Sequence, residues 1–200
     1  MPSYREALVE YIRRAALPVD KYGHQPRLYS LACEVGRGLV FDDDVVFAAA
    51  WLHDLGVFIG HRPEDPGALA HWDHVVYTVD RVPTILRDAG FDESKIPAVL
   101  DVIRTHQPAD EPASVEAVIV RDADILEQLG SIGILRAVAK VGRDTRYPTF
   151  TSVRTVLERA LGTLPGKLRL DTSRRLAEGK TRTIALFLSS LAVEDQGELH

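Results

Sequence analysis

Eight consecutive apolar residues, Val45 to Leu52, stand between an acidic triplet, Asp42-Asp43-Asp44, and the pair His53-Asp54. Acidic groups favour the positively polarised N-terminus of a helix, so the triplet predicts a helix start. The helix that follows is apolar nearly all round, and such a helix has no face to give to solvent. It belongs at the centre of a core. It is also too short to span a bilayer. The chain must therefore supply other helices to surround it.

The 200 residues are the size of one domain. With 46% hydrophobic and 26% charged residues, low-complexity, collagen-like and wholly disordered readings are excluded. Cys33 is the only cysteine, which removes a disulfide framework and a Cys-rich zinc site. It is expected to serve packing. There is no Asn, hence no glycosylation sequon, and the opening residues Met1 to Glu6 are not a secretory signal. A cytoplasmic protein with no membrane partner is expected. The net charge of -5 comes without a basic stripe, which disfavours a duplex nucleic-acid partner. It leaves room for a phosphorylated ligand, because a bound cation reverses the local field.

Helical spacing recurs along the chain. Val9, Ile12 and Ala16 share a face that Pro18 ends. Pro26 suits the first turn of a helix carrying Leu28, Leu31, Ala32 and Val35, closed by Gly36 and Gly38. Residues 60–73 are polar and rich in Pro and Gly, and read as a loop. Val75, Val79, Val82, Ile85 and Leu86 mark a helix that Pro83 is expected to kink or restart. Ile96, Val99, Leu100 and Ile103 mark another that runs to His106, and Val115 to Leu129 a further one. Residues 142–166 are less regular. Asp171-Thr172-Ser173 is expected to cap a last helix bearing Leu176, Ile184, Phe187, Leu188 and Leu191. That helix packs on its own domain or on a second copy, so a homodimer stays open. The prediction is an all-α bundle, one domain over 1–200, with a core over 20–140 and a C-terminal helical segment over 142–194. Gly179-Lys180-Thr181 lacks the earlier glycine of a phosphate-binding loop, since Arg174 stands there, and Gly36-Arg37-Gly38 lacks the third glycine of a dinucleotide site. Both read as helix ends.

The informative residues are histidines and aspartates. His53-Asp54 closes an apolar helix, a costly place for polar groups unless something satisfies them. His24 opens one apolar helix and His74 another stripe. His106 follows Ile103 by three residues, and Asp124 shares a face with Ala117 and Val120. Imidazole nitrogen and carboxylate oxygen together suit a divalent cation. Asp122 points away from Asp124 and reads as supporting structure. His61 and His71, in the polar loop, read as solvated.

His24, His53-Asp54 and Asp124 together resemble the HD superfamily of metal-dependent phosphohydrolases, named for the adjacent His-Asp pair. Ala48 to Gly56 is similar to that family's small-apolar helix running into the pair, and Arg121 to Gly130 to the segment bearing its last aspartate. Ile103-Arg104-Thr105-His106, and Lys167-Leu168 with the helix to Glu194, extend the likeness to a bacterial subgroup of small HD phosphohydrolases. Glu127 stands where that family commonly has Asp, Pro83 interrupts a helix normally unbroken, and residues 60–74 carry more His and Pro than its members do.

The resemblance implies a metal site of His24, His53, Asp54 and Asp124, with Asp54 also orienting the attacking water. It implies a divalent ion, manganese first and iron, nickel, magnesium or cobalt as alternatives. The expected activity is hydrolysis of a nucleotide by metal-activated water, such as a nucleoside triphosphate to monophosphate and pyrophosphate, or of a related phosphoester. Arg27 and Lys167 are candidates for holding phosphate oxygens, with Arg62 a weaker one read mainly as a surface charge. His74 and His106 either bind a second metal or line the phosphate pocket. Two other classes stay open: a mixed-valent di-iron oxygenase, which shares the six-residue order, and a nucleotide sensor without turnover.

Overall fold

The acidic triplet starts its helix as the pattern predicts. In the computed structural model, which describes residues 3–144 and 147–200, Asp42 caps a helix over Asp43–Leu52 by accepting from Asp44 N at 3.0 Å and Val45 N at 3.4 Å. Every residue from Val45 to Leu52 is buried.

The other helices among the described residues, taken in chain order, surround or follow this one. They are α1 (Tyr4–Ala15), α2 (His24–Val35), the apolar helix just described as α3, α4 (Pro66–Ala70), α5 (His74–Asp88), α6 (Ile96–Arg104) and α7 (Val115–Glu127). Then come α8 (Gly130–Val138), α9 (Phe150–Thr163) and α10 (Asp171–Glu194). No strand occurs among the described residues, only an isolated bridge between Ile59 and Arg62. The all-α prediction holds. No helix is long and apolar enough to cross a membrane among the described residues.

The chain divides into two compact units, one ending at Arg121 and one running from Asp122 to the C-terminus. In the first, α3 lies against α1, α2 and α6, and α5 lies against α6. The N-terminus of α3 ties its neighbours together by charge. Arg5 Nη2 of α1 is 2.8 Å from both Asp43 and Asp44, and the Tyr4 hydroxyl donates to Asp44. Tyr29 of α2 donates to Asp43 at 3.0 Å, and Lys95 reaches Asp42 and Asp44 at 2.9 Å. The Tyr4, Arg5 and Lys95 donors hold the Asp44 carboxyl well below the ordinary carboxylate range. A depressed folded-state value means the native chain stays ionised where the unfolded chain takes up a proton, near pH ~3.9. The stability from Asp44 is present above that pH and is lost as pH falls further toward the folded value. Urea midpoints of the wild type should therefore fall more steeply than those of Asp44→Asn between about pH 5 and 2. Parallel profiles would contradict this.

The buried stripe of α1 is Leu8, Ile12 and Ala16, with Leu8 in place of the expected Val9. The expected loop over 60–73 contains the short α4, which starts where Asp65 caps Ala68 N and Pro66 fills the first turn. Pro83 does not restart α5. Thr78, Val82 and Leu86 are buried at every fourth position on both sides of it and hold the helix in one piece. α6 ends at Arg104, two residues before His106.

The second unit, described by itself, packs α8, α9 and α10 on one another. The irregular stretch expected over 142–166 is corrected by α9, whose start carries a capping box between Thr149 and Ser152 and whose buried residues are Val153 and Leu157. Thr145 and Arg146 of that stretch lie outside the described residues. Gly179-Lys180-Thr181 lies within α10 and not at its end. The expected cap by Asp171-Thr172-Ser173 is not formed: α10 begins at Asp171 with Leu170 as N-cap and no side-chain cap. The segment just ahead of it is held from α7, where Asp122, fully buried, accepts from Arg169 N at 3.0 Å and Leu170 N at 2.9 Å. Cys33 is exposed, which corrects the packing role expected for it.

Candidate metal centre

The first unit gathers four histidines around Asp54. His24 is the first residue of α2, His53 the C-cap of α3, His74 the first residue of α5, and His106 the second residue beyond α6. Each stands at or just beyond a helix end.

The distances converge on one carboxylate. Asp54 Oδ2 lies 3.6 Å from His53 Nε2 and 3.8 Å from His24 Nε2, while Oδ1 lies 3.9 Å from His74 Nε2. Ligand atoms of His53, Asp54 and His106 all fall within 4.8 Å of one another. The rings of His53 and His106 are 4.9 Å apart, and those of His74 and His106 are 5.9 Å apart. His24, His53 and His106 are buried, whereas His74 is partly open at 26% side-chain exposure and Asp54 at 21%. The cluster is thus enclosed except on the Asp54–His74 side.

Two backbone carbonyls settle which ring nitrogen faces inward. His53 Nδ1 meets Ala50 O at 3.1 Å and His106 Nδ1 meets Ile103 O at 2.7 Å. A carbonyl only accepts, so Nδ1 carries the proton and a neutral ring keeps its lone pair on Nε2. That is the tautomer a cation ligand needs, oriented as metal-bound histidines are oriented. His24 Nε2 and His53 Nε2 stand 3.3 Å apart, a separation that calls for a proton or a cation between them. Burial pushes the Asp54 carboxyl up, but the positive charge that His53, His24, His106 and His74 carry when protonated overcomes this and holds it well below its ordinary range. A divalent cation would take the place of those protons, and the donor set, imidazole nitrogen with carboxylate oxygen, fits a divalent first-row ion.

The turn after Asp54 is stitched to α5. Gly56 N donates to Thr78 Oγ1 at 3.1 Å, Thr78 Oγ1 donates to His74 O at 2.7 Å, and Trp72 Nε1 donates to Gly56 O at 2.8 Å. Sequence reasoning missed these three residues. Only the Gly directly after His53-Asp54-Leu55 signals the close approach.

Asp124 lies on α7 past the start of the second unit, is buried, and has Gln128 Nε2 donating to its Oδ2 at 3.1 Å. Arg27 is on α2, with its guanidinium folded over Gly23. Lys167 ends a short turn over Pro165–Lys167 in the second unit and is exposed. Arg62 is the partner of Ile59 in the isolated bridge. His71 is exposed, as expected. His61 is not simply solvated: its Nδ1 lies 3.0 Å from the Tyr77 hydroxyl, and burial with the nearby Arg81 charge pushes its pKa down. It lines a hollow of about 1000 Å³ along α1 with Arg5, Tyr11 and Phe47, whose lining includes none of the clustered side chains.

Comparison with known proteins places this arrangement. Residues 22–129 match the HD domain. YpgQ, an uncharacterised protein of Bacillus subtilis strain 168, is 28% identical over 186 residues, covering 87% of this chain and 83% of that protein. The crystal structure of YpgQ in complex with ADP superposes with a TM-score of 0.73 at 23% identity, over 96% of this chain and 94% of the other. A predicted HD superfamily hydrolase from an uncultured Thermotogales bacterium superposes with a TM-score of 0.66 at 22% identity, over 96% and 93% of the two chains.

Proposed function

This chain belongs to the HD domain family, and from that premise we propose that it is a metal-dependent phosphohydrolase acting on a nucleotide. The observation that carries the reading is Asp54, a carboxylate ringed by His24, His53, His74 and His106 within the matched segment. Support for a nucleotide comes from YpgQ, a relative crystallised with ADP. Support for hydrolysis comes from the Thermotogales protein, described as a predicted HD superfamily hydrolase.

We assign His24, His53, Asp54 and Asp124 to hold the ion. Manganese is the first choice, with iron, nickel, magnesium and cobalt as alternatives. Bound there, a divalent cation lowers the pKa of water and offsets charge on the phosphoryl oxygens. The chain's own groups do the rest. Ala50 O holds the His53 ring in its Nε2-facing tautomer. Asp54, with one oxygen toward His24 and His53 and the other toward His74, orients the attacking water. Arg27 and Lys167 are assigned to the phosphate oxygens, where a cation offsets their charge.

One observation favours a second ion. The two Asp54 oxygens face different rings and His106 shares the inner cluster, so these residues offer enough donors that they would hold two cations. His74 and His106 would then be ligands; with a single ion they line the phosphate pocket. Two irons with substrate-dependent oxygen uptake would move the reading to an oxygenase.

The test is product analysis with manganese and a panel of nucleoside mono-, di- and triphosphates. Release of phosphate or pyrophosphate is expected, abolished by chelation and by Asp124→Ala. Pyrophosphate with a monophosphate would identify a pyrophosphohydrolase, and nucleoside with phosphate a nucleotidase. No product from any of them would contradict the nucleotide reading, and binding without turnover would make the protein a sensor.

A further inference from the structure

Arg121 is almost fully enclosed, at 2% exposure, although a guanidinium is costly to remove from water. An apolar side chain of similar volume serves packing as well or better. What it supplies here is a planar fork. Its Nε donates to Gln107 O at 3.2 Å and its Nη2 to Pro108 O at 2.8 Å, so one rigid group fixes two successive carbonyls. Those carbonyls belong to the residues directly after His106.

The same loop closes on itself. Gln107 N donates to Asp110 Oδ2 at 2.8 Å, and Asp110 N donates to Gln107 O at 3.0 Å. α6 has already ended at Arg104, two residues before His106. The His106 ring meets Ile103 O at Nδ1, and the backbone that follows it is held by Arg121. It is this ring whose ligand atom lies in the inner cluster with His53 and Asp54.

We propose that Arg121 is a positioning residue for His106: its fork pins the 107–108 backbone and thereby aims the His106 imidazole at Asp54 and His53. It touches neither substrate nor cation. The inference rests on the reading of His106 as part of the reaction centre.

The experiment compares wild type, Arg121→Met, Arg121→Lys and His106→Ala in two readouts. The first is the nitrogen-15 spectrum of the histidine rings without added cation, with the His106 signals assigned by their loss in His106→Ala. Arg121→Met is expected to displace the His106 signals while leaving those of His61 and His71 in place, and Arg121→Lys to do so to a lesser degree. The second is turnover. Arg121→Met should lower kcat by about tenfold or more, in the range seen when support of a ligand is lost, with KM little changed. In the His106→Ala background, adding Arg121→Met should then cost nothing further, because Arg121 acts through that ring. A role in folding alone predicts a lower melting temperature, native His106 signals and additive losses, and that result overturns the proposal. If Arg121→Met does not fold, native His106 signals in Arg121→Lys overturn it equally. Absence of turnover in the wild type would count against the hydrolase reading, while the ring signals still decide this one.

Discussion

Asp54→Ala is expected to lower turnover by on the order of 10³-fold, because a bound ion supplies several kcal/mol of charge stabilisation at about 1.4 kcal/mol per decade. The carboxylate is the anion on which the rings of His24, His53, His74 and His106 converge, so its loss removes the charge that all four face. Asp54→Asn keeps an oxygen but not the charge and should fall between. The fold should lose some stability as well. The histidines outweigh desolvation and hold the carboxyl well below its ordinary range, so its ionised form stabilises the native chain, and without added cation the variant should melt below the wild type. Phosphate release together with thermal melting separates the two effects. Turnover within tenfold of wild type would contradict the role given to Asp54.

Gly56→Ala should act in the opposite way, on stability first. A Cβ there would stand 2.6 Å from His74 O and 2.9 Å from His74 Cα, both backbone atoms that cannot rotate aside. The turn after Asp54 and the start of α5 would have to separate, straining the bonds among Gly56, Thr78 and Trp72. The expected cost is about 1–3 kcal/mol, the usual range for overfilling a packed contact. For a chain of this size that is a drop of roughly 2–4 °C in melting temperature per kcal/mol. Because His74 moves with the α5 start, turnover should fall as well. An unchanged melting temperature would show that the two segments are not locked as described.

These two residues mark how far the sequence could be read. Asp54 was legible because a charged pair at the end of an apolar helix is anomalous, and anomalies of charge survive in a linear string. The four histidines were legible one by one for the same reason, as polar groups at helix ends or on apolar stripes. Their convergence on the two faces of one carboxylate was not, because it depends on the packing of α2, α3, α5 and α6. Gly56, Thr78 and Arg121 act through backbone atoms of distant residues, and a backbone carbonyl leaves no mark in composition or spacing.

Among the helices, the apolar run of α3 announced itself, whereas α9 did not. It buries only Val153 and Leu157 across 14 residues, too thin a stripe to outweigh its polar content. Its capping box uses Ser152 where Glu or Gln is the usual signal. Pro83 pointed to a restart that does not occur. A single lost backbone bond weighs less than three buried residues spaced along one face.

Titration of manganese into the purified protein, followed by calorimetry for the wild type and for Asp54→Ala, tests the cluster most directly. The wild type should bind at least one equivalent of ion, and the variant should bind it at least 10–100-fold more weakly. Equal affinity in the two proteins, or no binding by the wild type, would contradict the assignment of this cluster as a metal centre.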